Sequence, residues 1–388
     1  MTSTAITPAE FPWFRYDGYT FSLGLTDGTS AWLSGHSASR YDPELSRIVV
    51  IGGMREQART AYDKIAAILA AAGMGFGDVT RLVENVTTAG LDSYAEAAAV
   101  RAEVLGGHPA ALVTVAVDSL LRRDALLEVE VSATRGGGRA LAGAGQTGWH
   151  RDGGVEGGDG LLYLPTILPV DEEGRVVAPD DLVGQHAFCL DRVERILAGV
   201  GLAPGHVAKV VASYAGEQAE VDAIPSPAAR LGPVATGRLH PRRLAVPGAL
   251  VALDCVATRE EPVEVAPSLA GGPGCGAVRA GRTVLLSHAS APPPRGGPPD
   301  VLGQARESYR RIGELLAAAG LGPEHLVKTI EYVGPGGLAG YRGVAQVRQE
   351  LLRSPWPAST GAVVGGVGEA GALIAVEATA VAGRDLAH

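Results

Sequence analysis

One segment recurs three times along this chain without a gap, and it limits the fold to one unit used three times. Residues 57–73, QARTAYDKIAAILAAAG, return as 185–201, QHAFCLDRVERILAGVG, and again as 304–320, QARESYRRIGELLAAAG. Each copy is followed at the same distance by an apolar residue that opens a strand-like run: Val79, Val207 and Leu326. A spacing of roughly 120 residues makes each unit a small domain, because solenoid repeats run to only about 20–50 residues. Ala58, Ala61, Ile65, Ile68 and Leu69 fall at helical spacing, as do Ala305, Tyr309, Ile312, Leu315 and Leu316. Gly73, Gly201 and Gly320 stand where a helix end needs a left-handed residue. Strands rich in β-branched residues are expected over 80–88, 207–214 and 326–333.

A second helix is legible in the first and third copies, where YAEAAAVRAEVL matches YRGVAQVRQELL. A Pro-Ala step follows, Pro109-Ala110 and Pro357-Ala358, and then two strands ending in LLEVEVSAT and LIAVEATAV. The middle copy has EQAEVDAIPSPAARLG in place of the second helix and ends in LVALDCVAT. A hairpin is expected before each long helix, so one unit reads β-β-α-β-α-β-β, an α+β layer with helices on one face of a sheet. Units are expected at 18–135, 159–258 and 276–383. The Gly-rich joins at 136–158 and 259–275 read as flexible linkers.

Composition narrows the class. A formal charge of -9 argues against a general phosphate-backbone binder. Cys189, Cys255 and Cys275 are odd in number and lack CxxC spacing, which fits neither a disulfide framework nor a structural zinc site and suits a reducing cytoplasm. No apolar run is long enough to span a bilayer. Lysine occurs only at Lys64, Lys209 and Lys328 amid abundant arginine, a pattern that reads as genomic base composition. GVGEAG at 366–371 mimics a dinucleotide fingerprint but lies between expected strands, where a tight turn accounts for it.

The first and third copies resemble the reactive-intermediate deaminase (RidA/YjgF) family along nearly their whole length. The resemblance rests on the turns Ser34-Gly35 and Ser287-His288, the helix ending AAG, the Tyr…VR.E.L helix, the Pro-Ala step and the closing LLEVE or LIAVE strand. The middle copy keeps the family-like ILPVDEEGRVV hairpin and PGALVALD ending. Such proteins form homotrimers with ligand clefts between subunits. The resemblance therefore implies a single-chain pseudo-trimer with sheets inward and helices outward, of solution mass one chain or a dimer of such rings. A cyclic interface closes on itself, so linking its members leaves no surface unused. It also implies a small-molecule substrate, no nucleic acid or membrane partner, no metal and no organic cofactor.

The family holds a substrate carboxylate with an arginine directly after the Pro-Ala step. Here that place is read as Ala111, Ala235 and Ser359, none of which offers a bidentate charged contact. Arg238 and Arg282 are the first candidates for a replacement cation. The family's water-positioning glutamate is kept only as Glu128, with Ala252 and Ala375 at the other two places, while a second acid persists as Glu130, Asp254 and Glu377. Glu128 is thus the expected base or water-holder, with His36 and His288 as proton carriers near neutral pH. Phe21, Ser34, Ser287, Ser359 and Thr360 are expected to line clefts, together with Tyr163, Thr166 and Thr236 of the middle copy. The implied activity is hydrolysis, tautomerisation or cyclisation of a small imine, enamine or related intermediate. The alternatives are a non-catalytic binding protein on the same scaffold and a chorismatase-like enzyme, since chorismatases share this fold family.

Overall fold

The computed structural model describes residues 3–141, 146–147, 150–151, 154–269, 274–292, 300–368 and 371–383. The repeated segments form three helices of 18 residues each: α1 (Met54–Ala71), α3 (Leu182–Gly199) and α6 (Val301–Ala318). The glutamine that opens each repeat is a clamp. Gln57, Gln185 and Gln304 are all buried. Their side-chain oxygens accept from the backbone N–H of Leu126 (2.8 Å), Leu250 (2.6 Å) and Leu373 (2.7 Å), at the foot of the closing strand. Each side-chain amide in turn donates to nearby backbone carbonyls. Gly73, Gly201 and Gly320 take φ of 66°, 76° and 73° after the helices, the left-handed geometry that glycine permits without a Cβ penalty.

Under each long helix lie three principal strands. In the first part they are β1 (Val79–Thr87), β2 (Ala111–Val117) and β3 (Leu127–Thr134). In the second they are β4 (Val207–Tyr214), β5 (Ala235–His240) and β6 (Val251–Thr258). In the third they are β7 (Leu326–Val333), β8 (Ala358–Val363) and β9 (Ile374–Val381). The first strand of each set pairs in parallel with the second and antiparallel with the third. The parallel pairs are bridged by α2 (Tyr94–Leu105) in the first part and α7 (Val344–Leu351) in the third. In the middle, α4 (Gln218–Ala223) and α5 (Ala228–Leu231) stand in for that helix.

The repeated Tyr…VR motif is structural. Buried Glu84 receives the hydroxyls of Tyr62 and Tyr94 and the guanidinium of Arg101. Glu331 likewise receives Tyr309, Tyr341 and Arg348, the last at 2.6 Å. Three charge-assisted or hydroxyl donors satisfy a carboxylate that burial would otherwise penalise.

Each helix and sheet encloses its own apolar core. A further core joins all three sheets, with Val83, Val113 and Val115 meeting Val211 and Leu239 of the second part and Ile330 and Tyr332 of the third. The same hydrogen bond recurs at each contact: Gly35 N to Ser359 O (3.3 Å), Thr166 N to Leu112 O (3.0 Å) and His288 N to Thr236 O (2.9 Å). First part meets third, second meets first, and third meets second.

The joins differ from the expectation of flexible linkers. Gly138–Ala140 pairs with Val155–Gly157, which pairs with Leu161–Tyr163, and Val263–Pro267 pairs with Cys275–Ala280. Glycine content suggested freedom, but Leu141 and Val155 bury in apolar clusters and the added strands cover sheet edges. Within the joins, 142–145, 148–149, 152–153 and 270–273 lie outside the described residues. Ahead of the first repeat, Thr4–Ala5 pairs with Gly24–Thr26, Ile6 enters the core, and Phe11, Phe14 and Tyr16 pack against it.

Candidate active site at the contacts between the three parts

Strand register sets the chemistry at the centre. Arg81, Lys209 and Lys328 occupy the same place on β1, β4 and β7, opposite Ala111, Ala235 and Ala358. Each reaches an acid on a neighbouring part. Lys209 Nζ lies 2.6 Å from Glu377 Oε1, Lys328 Nζ lies 2.5 Å from Glu130 Oε2, and Arg81 pairs with Asp254. The persistent second acids are therefore paired at the centre of the assembly. Lys209 and Lys328 are fixed by this role and Lys64 is fully buried, so genomic base composition does not explain the chain's three lysines.

The same register corrects the alignment after the Pro-Ala step. Ala111 is level with Ala235 and Ala358, and its side chain lies in an inner apolar cluster rather than a ligand cleft. Ser359 therefore corresponds to Thr236 and Leu112.

Where the first part meets the third, the contact is tight. Ser34 Oγ donates to Ser22 O (2.6 Å) and accepts from Ser359 N (2.7 Å). Phe21 stacks on Tyr19 at 5.0 Å. Glu128 is buried beside Gly35 and Thr360; a Cβ at Gly35 would fall 2.3 Å from its Oε1. Burial first, then the neighbouring Glu130, push the Glu128 carboxyl up to about 8 against the opposing pull of Lys64 and Arg122. A carboxyl raised this far favours its protonated form at neutral pH. His36 is buried. Its Nε2 lies 3.1 Å from Leu23 O, and burial, then Lys64, lower its imidazolium to about 3.

Lys64, read from the sequence only as part of a genomic lysine pattern, is buried here. It donates to Ser37 O (2.7 Å) and Ser39 O and sits 5.0 Å from the Phe14 ring. Burial pulls its ammonium down to about 7. Its lone place on an apolar helix face was the available signal.

Where the second part meets the first, Thr166 Oγ accepts from Thr114 N at 2.6 Å. Tyr163 donates to Asp159 and stands by Arg81, 6.0 Å from ring to guanidinium. Ala252 packs with Leu168, Val170, Ala215, Leu244 and Ala249. The cavities here and at the centre hold about 20 and 40 Å³, room for water and little else.

Where the third part meets the second, a cavity of about 220 Å³ opens, lined by Thr236, Arg238, Ser287, His288, Ser290 and Arg311 among others. Ser287 Oγ accepts from Thr236 N (2.7 Å) and donates to Cys275 O. Arg238 follows Thr236 by two residues on β5, so alternation puts both on one face. Its guanidinium lies 5.6 Å from the Tyr214 ring and reaches the carbonyls of Val221 and Ile224 at 3.4 Å. Arg311 is held by Glu307 and Ser290 O. Arg282, the other candidate cation, instead joins Asp27 and Ala382 O. His288 Nε2 is 3.2 Å from Glu377 Oε2, and its ring stacks on Tyr332 at 5.4 Å. His288 and the pair Ser359 and Thr360 thus serve different contacts. Among the described residues no cluster of three or more His, Cys, Asp or Glu side chains could hold a metal, and no helix is long and apolar enough to cross a membrane.

The family described as endoribonuclease L-PSP matches residues 19–135, and this first part of the chain is a domain of that family, the YjgF/RidA family. Solved structures similar to part of the chain include a putative endoribonuclease from Thermotoga maritima. It is 25% identical, spanning 33% of this chain and 96% of that one, with a TM-score of 0.29. Another is E. coli TdcF with bound serine, 24% identical over 34% of this chain and 98% of that one, with a TM-score of 0.28. A chorismatase structure is similar over 79% of this chain and 93% of its own, with a TM-score of 0.51 and 13% identity, a likeness of fold alone. No curated protein matches the chain.

Proposed function

We propose that three tandem RidA-like units close into a pseudo-trimer, sheets inward and long helices outward, and that the chain is an enzyme acting on a small carboxylate metabolite in the cavity between the second and third units. The cyclic hydrogen bonds and central ion pairs support the ring. One observation carries the site: a cavity of about 220 Å³ with Arg238 and His288 on its wall. Arg238 supplies the cation missing from the family's usual position and can hold a carboxylate in a charge-assisted, bidentate contact. Thr236 and Ser290 offer neutral hydrogen bonds that orient the rest of the ligand. His288 exchanges a proton with the reacting atom, which suits hydrolysis, tautomerisation or cyclisation of an imine or enamine. In this account Glu128 holds the first–third contact together and is not the base.

The test is calorimetric titration with a panel of small carboxylates, chorismate and 2-imino or enamine acids among them, followed by turnover assays on those that bind. Binding that falls at least about tenfold in Arg238→Gln supports the site, as expected for loss of a charged hydrogen bond. Binding indifferent to Arg238 but lost in Ser359→Ala would move the site to the first–third contact. Binding without conversion of any ligand would favour a non-catalytic binding protein.

A further inference from the structure

The three central ion pairs are not equivalent. Glu130 adds Asn85, whose side-chain amide donates to Oε1 at 2.9 Å. Glu377 adds a histidine from the wall of the cavity: Oε1 takes Lys209, and Oε2 lies 3.2 Å from His288 Nε2. The places matching His288 at the other two contacts hold Gly35 and Thr166, by the recurring backbone bond. One contact alone thus links the centre of the molecule to a ring that can move a proton.

We propose that Lys209 and Glu377 are positioning residues for His288, holding its neutral ring as the Nε2–H tautomer and leaving Nδ1 as its unprotonated nitrogen. An ionised carboxylate only accepts hydrogen bonds, so the imidazole nitrogen facing it must carry the hydrogen. Burial raises the Glu377 carboxyl, but the Lys209 ammonium and the hydrogen bond from His288 outweigh it and hold the carboxyl well below the usual range. Nδ1 is buried and has no hydrogen-bond partner among the described residues. Two contacts fix the ring: Tyr332 stacks on one face, and Gly237 leaves room where a Cβ would come within 2.3 Å of Nε2. The charged groups around this carboxylate include Lys209 from β4, Arg81 from β1, Asp254 from β6, Glu130 from β3 and Lys328 from β7. Without Lys209, Glu377 loses its direct counter-charge and gains a proton it can donate to Nε2, which moves the ring hydrogen to Nδ1.

The functional consequence rests on the cavity being the working site, but the tautomer does not, and it is read on the free protein. Histidine-labelled full-length chain is examined by long-range 1H–15N correlation across about pH 6 to 9, with His288 assigned through His288→Gln. The expected neutral-ring signature is protonated Nε2 with an unprotonated Nδ1. It should persist in Lys209→Arg and give way to a mixed or Nδ1–H pattern in Lys209→Met and Glu377→Gln. A wild-type ring in the Nδ1–H form would overturn the proposal, whether or not the variants fold. So would a pattern unchanged in Lys209→Met. Once a substrate is in hand, Glu377→Gln should lower kcat about tenfold or more with little change in KM. Arg238→Gln should act mainly on KM. A correct tautomer in a protein that binds no carboxylate would refute the proposed function and leave this inference standing.

Discussion

The first–third and third–second contacts start from the same backbone arrangement and end in opposite chemistry. Both seat a serine hydroxyl against the next strand, Ser34 under Ser359 N and Ser287 under Thr236 N, each at 2.7 Å. At the first contact the acid Glu128 is closed in beside Gly35 and kept protonated by burial. At the second the carboxylate, Glu377, is held ionised by Lys209 behind a histidine that borders open space. A homotrimer must use one sequence at all three contacts. Covalent linkage removes that constraint, so one contact can hold the assembly while another serves a ligand.

Removing a central cation should have the largest effect. Lys328→Met leaves Glu130 buried without its counter-ion, and loss of one partner of a buried pair costs about 3–5 kcal/mol. Denaturant unfolding should show this, and Lys328→Met combined with Glu130→Leu should recover much of it. A cost of the single variant below about 1 kcal/mol would show that the ring does not hold the units together. Next comes Arg238→Gln, whose loss of carboxylate binding should fall between about 1.5 and 3 kcal/mol with stability intact. Thr360→Ala, at the other contact, should leave that affinity unchanged.

A pH effect sharpens the contrast further. The Glu128 carboxyl titrates higher in the folded chain than its ordinary 4.5, so its contribution to stability is fully present below 4.5 and is lost as the pH rises through about 8. Wild type should therefore lose stability relative to Glu128→Gln across that window, by an amount on the order of a few kcal/mol. Parallel pH profiles for the two proteins would remove the claim that Glu128 is buried and neutral. The smallest effect is expected from Arg282→Gln, whose part-exposed contact with Asp27 should be worth about 1 kcal/mol or less and should not touch ligand affinity.

What the sequence made legible is local. Helical spacing, the glycine ends and the β-branched strands located the three long helices and the strand after each, because those signals lie within a few residues of one another. The site was less legible because it depends on which strands meet. A one-residue difference in the approach to β2 put Ala111 where Leu112 belongs, and pleat alternation turns such a slip into the opposite face. His288 lies at the third–second contact and Ser359 and Thr360 at the first–third one, a separation that sequence does not show because it depends on which strands meet. The lysines carried the missing signal: three in a long, arginine-rich chain, two of them at matched strand positions. The Gly-rich joins misled for a related reason, since the strands they add are stabilised by partners elsewhere in the chain.

The central claim, that the third–second contact is the one that serves a ligand, is tested most directly by a crystal structure of the full chain with a bound carboxylate from the titration panel. The account predicts the carboxylate against the Arg238 guanidinium, with the ligand in the cavity that His288 lines and the Glu128 contact closed. A ligand seated beside Glu128, Ser34 and Ser359, with the cavity at Arg238 empty, would contradict it.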